Sequence, residues 1–62
     1  MTGSKIRVFA VDGHPLFRQG LATLIDHERD MRLVAQASTG REAVQEYRKH
    51  SPDVTLMDLR LP

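Results

Sequence analysis

The sequence predicts an α/β fold on a parallel sheet, in the order β-α-β-α-β. Three observations carry that prediction. Apolar runs at residues 5–11, 32–37 and 53–57 have strand character. Two stretches between them repeat apolar residues at helical period. Local signals bound both helices: Pro15 opens the first, while Thr39 and Pro52 bracket the second. Strands alternating with helices imply parallel pairing and right-handed crossovers.

The first strand, Lys-Ile-Arg-Val-Phe-Ala-Val over 5–11, begins by alternating and becomes continuously apolar. Such a run suits a strand covered on both faces. It stops at Asp12, Gly13 and His14. Pro15 then suits a first helical position, where its missing N–H costs nothing. From Pro15 to about Asp26, the residues Leu16, Phe17, Leu21, Leu24 and Ile25 form one stripe, expected to be core. Gly20 interrupts this helix at a cost of about 1 kcal/mol against Ala, and a close approach to the sheet would explain it. A polar turn follows at 27–30.

The second strand, 32–37, is weaker and more polar, as suits a sheet edge. Thr39 to Glu42 fits a capping box, in which the Thr hydroxyl takes one orphan N–H and the Glu carboxylate reaches back. The second helix runs to about His50 on a stripe of Ala43, Val44 and Tyr47, with Arg41, Arg48 and Lys49 on a solvated face. Ser51 precedes Pro52, and a residue before Pro is pushed out of the α region, so the helix ends there. The third strand, 53–57, is short and apolar and runs into Asp58.

Composition narrows the function. Sixty-two residues hold at most one small domain. With no cysteine there is neither a disulfide nor a thiolate zinc site. Nine basic residues against eight acidic give no polybasic footprint, so no nucleic acid is expected to bind. No apolar run approaches a membrane span and the first residues lack a signal-peptide core, which together predict a cytoplasmic protein without membrane contact. There is no G-x-G-x-x-G, no P-loop and no nucleophile elbow, so no enzyme is expected. His14, before Pro15, reads as a loop or capping residue rather than a ligand, and His27 and His50 as surface.

The chemistry-bearing residues are two acids at strand ends, Asp12 and Asp58. In open parallel sheets ligands bind beyond the carboxyl ends of strands, where strand order reverses. If the second strand lies outside the first, the two acids become neighbours, and a hard cation would relieve their repulsion. Each also has a plainer reading: Asp12 as an acid favoured at a helix N-terminus, Asp58 as a solvated strand-end acid.

The segments 11–21 (VDGHPLFRQGL), 37–43 (ASTGREA) and 52–62 (PDVTLMDLRLP) closely resemble bacterial response-regulator receiver domains, particularly those of LuxR/NarL-type transcription regulators. The resemblance runs from Lys5 to Pro62. It implies that residues 1–62 are the first half of a receiver, a β-α-β-α-β portion of a flavodoxin-like doubly wound sheet in strand order 2-1-3. It further implies that Asp58 is the phosphoacceptor for a histidine kinase in a phosphorelay, and that Mg2+ is held by Asp12, Asp58 and the backbone carbonyl of Arg60. Gly13 stands where such receivers usually carry a second acid. That should weaken Mg2+ binding, unless Gly13 serves only as a flexible turn residue. The later switch Ser/Thr, the later Lys and a DNA-binding output domain have no counterpart in these residues.

A second expectation concerns assembly. Order 2-1-3 leaves the third strand as an open apolar edge, a template for another chain. A homodimer is expected, either by pairing of strand 53–57 with its own copy or by exchange of elements.

Overall fold

The computed structural model describes residues 5–58: β1 (Ile6–Val11), α1 (Pro15–Asp26), β2 (Met31–Ala37), α2 (Gly40–His50) and β3 (Val54–Met57). The strands form one parallel sheet in the order β2-β1-β3, as the resemblance implied. Each strand boundary lies within one residue of its expected place. Asp53 falls just outside β3 but continues the pairing: its N–H donates to the Arg7 carbonyl at 2.8 Å, and its carboxylate accepts from the Arg7 N–H at 2.8 Å.

Central β1 carries the core, because Val8, Phe9, Ala10 and Val11 are all buried. Successive side chains point to opposite faces, so only a strand covered on both sides tolerates such a run. Phe9 and Val11 meet Ala37 of β2 and Ala43 of α2, with Ala35 packed alongside. Small residues at 35, 37 and 43 let α2 lie close to the sheet.

Pairing of β1 with β2 shifts by one residue: Val8 faces Leu33 but Phe9 faces Ala35, leaving Val34 as the extra residue of a bulge. The shift is why β2 does not alternate cleanly. It keeps Leu33 level with Val8 while the two alanines share the level and the face of Phe9 and Val11.

The apolar stripe of α1 departs from expectation. Ile25 is buried and Leu21 half-buried, but Leu16, Phe17 and Leu24 are exposed. The helix packs mainly on β2 and grazes β1, so the side of the stripe away from β2 has nothing against it among the described residues. Val44 and Tyr47 of α2 are exposed in the same way, as are all four residues of β3. Arg41, Arg48 and Lys49 lie on a solvated face as expected.

Gly20 is also corrected. A Cβ added there would meet nothing within 4 Å, so no close approach to the sheet requires glycine. Gly20→Ala is therefore expected to raise stability by about 1 kcal/mol, read as an increased urea midpoint at unchanged slope.

The second helix is capped with one change from the expected pattern. The Thr39 hydroxyl accepts from the Glu42 N–H at 3.2 Å. The Glu42 carboxylate reaches one residue further back than a capping box requires. It accepts from the Ser38 hydroxyl at 2.7 Å and the Ser38 N–H at 2.9 Å. These two donors, the hydroxyl first, hold its carboxyl below the ordinary value. A lowered folded-state pKa contributes stability that is complete above the unfolded value and lost as pH falls through the folded one. Glu42→Gln is thus expected to flatten the acid limb of stability below about pH 4.3, the ordinary glutamate value, in urea titrations at successive pH. The far end of α2 stops at Ser51, which adopts left-handed backbone (φ 46°) with its N–H on the Tyr47 carbonyl.

Candidate functional site

Two backbone hydrogen bonds place the strand-end acids. Asp12 follows β1, and its N–H donates to the Ala37 carbonyl at 3.0 Å. Asp58 follows β3, and its N–H donates to the Val11 carbonyl at 3.0 Å. Parallel pairing is thereby carried one residue past each strand, and the two acids stand side by side at the carboxyl edge of the sheet. The side chain of Asp12 is 6% exposed and that of Asp58 14%.

The loop from β1 to α1 adds a third group. The Asp12 Oδ1 accepts from the His14 N–H at 2.7 Å, an Asx turn that folds the loop back on itself. That turn returns the His14 ring to the acids. Its Nδ1 lies 3.0 Å from Asp12 Oδ1 and 3.8 Å from Asp58 Oδ2. One donor atom from each of Asp12, His14 and Asp58 falls within 4.8 Å of the others. His14 occupies the N-cap position of α1, as its loop reading anticipated, but its side chain makes no cap bond and turns to the carboxylates instead. The sequence carried one usable signal for this, an Asp and a His two residues apart just beyond a buried strand. Arg18, one turn into α1, donates to the Asp12 carbonyl at 3.1 Å and ties the helix to the same loop.

These groups form the polar end of a cleft of about 510 Å³, whose apolar walls come from Phe17, Leu21 and Leu56. The exposure of Phe17 has its counterpart here: the face of α1 not resting on β2 borders this space. Across the sheet a second, nearly wholly apolar cleft of about 490 Å³ lies between α2 and β3, against Tyr47, Thr55 and Met57.

Gly13 is exposed and contributes no side-chain donor, and its φ is not positive. The backbone therefore does not demand glycine there. Arg60, whose carbonyl the resemblance makes a metal contact, lies outside the described residues. As for the Mg2+ the resemblance implies, the Asp12 and Asp58 carboxylates are donors of the right kind. The third donor at hand is an imidazole, which fits Mg2+ poorly.

Comparison with known proteins bears on the same residues. The family model of the response regulator receiver domain matches residues 8–62. The chain is 37% identical over 59 residues to the transcriptional regulatory protein DegU of Brevibacillus brevis, covering 95% of this chain and 25% of that protein. It is 37% identical over 57 residues to the oxygen regulatory protein NreC of Staphylococcus haemolyticus, covering 92% and 26%. It spans about a quarter of the length of these relatives. Among solved structures, a LuxR-family two-component response regulator from Aurantimonas sp. superposes with a TM-score of 0.88 at 41% identity, over 95% of this chain and 42% of that one. The signal receiver domain of the response regulator NarL from Mycobacterium tuberculosis does so with a TM-score of 0.91 at 37% identity, over 97% and 48%.

Proposed function

Since the chain belongs to the response regulator receiver domain family, we propose that it is the phosphoacceptor part of a LuxR/NarL-type transcription regulator, taking a phosphoryl group on Asp58 from the phosphohistidine of a histidine kinase. The observation that supports this best is the setting of Asp58. Its carboxylate ends an apolar strand, stands beside a second, buried carboxylate and opens on a cleft with room for a phosphoryl donor. A carboxylate oxygen of Asp58 attacks phosphorus as the P–N bond to the kinase imidazole breaks. The products are an aspartyl phosphate, which is a mixed anhydride, and the free kinase histidine. The module accepts a group rather than turning over a substrate, and it acts in the cytoplasm. Among the described residues no helix is long and apolar enough to cross a membrane.

Asp12 raises the negative charge that an incoming phosphoryl group meets. Mg2+, held by Asp12 and Asp58, would supply the opposing positive charge at the phosphoryl oxygens. With Gly13 adding no third carboxylate, that affinity is low. The reading is tested by incubation with acetyl phosphate and Mg2+, followed by intact mass and peptide mapping. A phosphoryl adduct at Asp58 is the expected result, and its absence at saturating Mg2+ overturns the reading.

A second reading, self-association, is favoured by the outer edge of β3. All four residues of this strand are exposed, and among the described residues it pairs only with β1. Two-fold pairing with a second copy gives a six-stranded sheet, 2-1-3-3′-1′-2′. Sedimentation velocity of this chain at micromolar concentration is expected to give the mass of a dimer, and a folded monomer refutes the pairing.

A further inference from the structure

We propose that Asp12, His14 and Asp58 form a two-carboxylate, one-imidazole site that takes a late first-row divalent ion, with Zn2+ as its representative, in preference to Mg2+. The site shares Asp58 with the phosphoacceptor reading but does not depend on phosphoryl transfer. Three facts support it: donor type, spacing and surroundings.

Mg2+ favours six oxygen donors and keeps its waters, whereas imidazole suits zinc, copper and nickel. With Gly13 the loop has no second carboxylate to offer, and the group presented instead is a nitrogen donor. Zn–N and Zn–O bonds of about 2.0–2.2 Å in a tetrahedron set donor–donor edges of about 3.4 Å. Two edges here, 3.0 Å from His14 Nδ1 to Asp12 Oδ1 and 3.8 Å to Asp58 Oδ2, bracket that value. The third falls within 4.8 Å. That third edge joins the two carboxylates, so rotation of the Asp12 and Asp58 side chains sets it, while His14, the most exposed of the three, adjusts the other two.

The surroundings supply the remaining requirements. Two largely buried carboxylates stand side by side on the same imidazole, a grouping of oxygen and nitrogen donors of the kind a dication takes. A fourth position opens on the cleft, where water or an anionic ligand can complete the tetrahedron. The other histidines lack such a set. Nδ1 of His27 lies 2.7 Å from the Thr23 carbonyl, and His50 pairs with one carboxylate, that of Glu46.

The test is a calorimetric titration of the full chain with Zn2+ and, separately, Mg2+, without any phosphoryl donor. Co2+ serves as a visible-absorption probe of four-coordinate geometry. Zn2+ is expected to bind one per chain and about 100-fold more tightly than Mg2+. His14→Ala, at a side chain 65% exposed, is expected to lose most of the Zn2+ affinity while leaving that for Mg2+ unchanged. His50→Ala should alter neither. Unchanged Zn2+ binding in His14→Ala, or Mg2+ binding as tight as Zn2+, overturns the proposal. Failure of phosphoryl transfer leaves these titrations intact, and failure of the titrations leaves the adduct at Asp58 to be judged by mass alone.

Discussion

Replacing Asp58 with Asn is expected to abolish labelling by acetyl phosphate, to below detection, while leaving the sheet in place. The amide matches the carboxylate in shape but is not a nucleophile for phosphoryl transfer. The backbone contribution of residue 58, the N–H on the Val11 carbonyl, survives the substitution. Stability should hold or rise. Like charges within 4.8 Å repel by about 1 kcal/mol even at the dielectric of water, and Asn removes that term. A urea midpoint at or above that of the parent, with no adduct by mass, is the predicted pair of results. Labelling of Asp58→Asn at another residue would remove residue 58 from its proposed role.

The converse change, Gly13→Asp, is expected to raise Mg2+ affinity by about 10-fold, because cation sites of this kind are tuned by the number and charge of their oxygen ligands. Position 13 is exposed and its φ is not positive, so an L-residue enters without backbone strain. The same substitution should lower the melting temperature in the presence of EDTA, since a third carboxylate joins two that already repel. Titration with Mg2+ and melting with and without chelator separate the two effects. An unchanged Mg2+ affinity would mean that residue 13 does not face the ion, whatever its neighbours do.

Much of the fold was legible because its boundaries are chemically marked. The run from Val8 to Val11 is apolar at every position, which only a doubly covered strand tolerates. Pro15, Thr39 and Pro52 punctuate the helices at the places where they begin and end. What was not legible falls into two physical kinds. Periodicity reports which face of a helix is apolar but not whether anything lies against it. Leu16, Phe17 and Leu24 share a stripe with Ile25, yet of these four only Ile25 is buried. Local turns redirect side chains in ways that spacing does not reveal. The Asx turn at Asp12 brings His14 to the acids, and the loop before α2 lets Glu42 reach Ser38 rather than Thr39. The approach of Asp12 to Asp58 required a strand order, and that order came from resemblance, not from the strands themselves.

The bulge at Val34 bears on what β2 can change. Parity along a strand is a phase, and the extra residue resets it midway, so the two halves of β2 address different neighbours. Deleting Val34 would close the bulge and keep Leu33 opposite Val8 and Ala35 opposite Phe9, in unbroken one-to-one pairing. Substitution at Val34 changes a half-buried side chain; deletion removes that side chain and straightens the strand, yet leaves each later residue on its face. Position 34 is thus a place where this strand can shorten by one residue without moving the two alanines off the face of Phe9 and Val11.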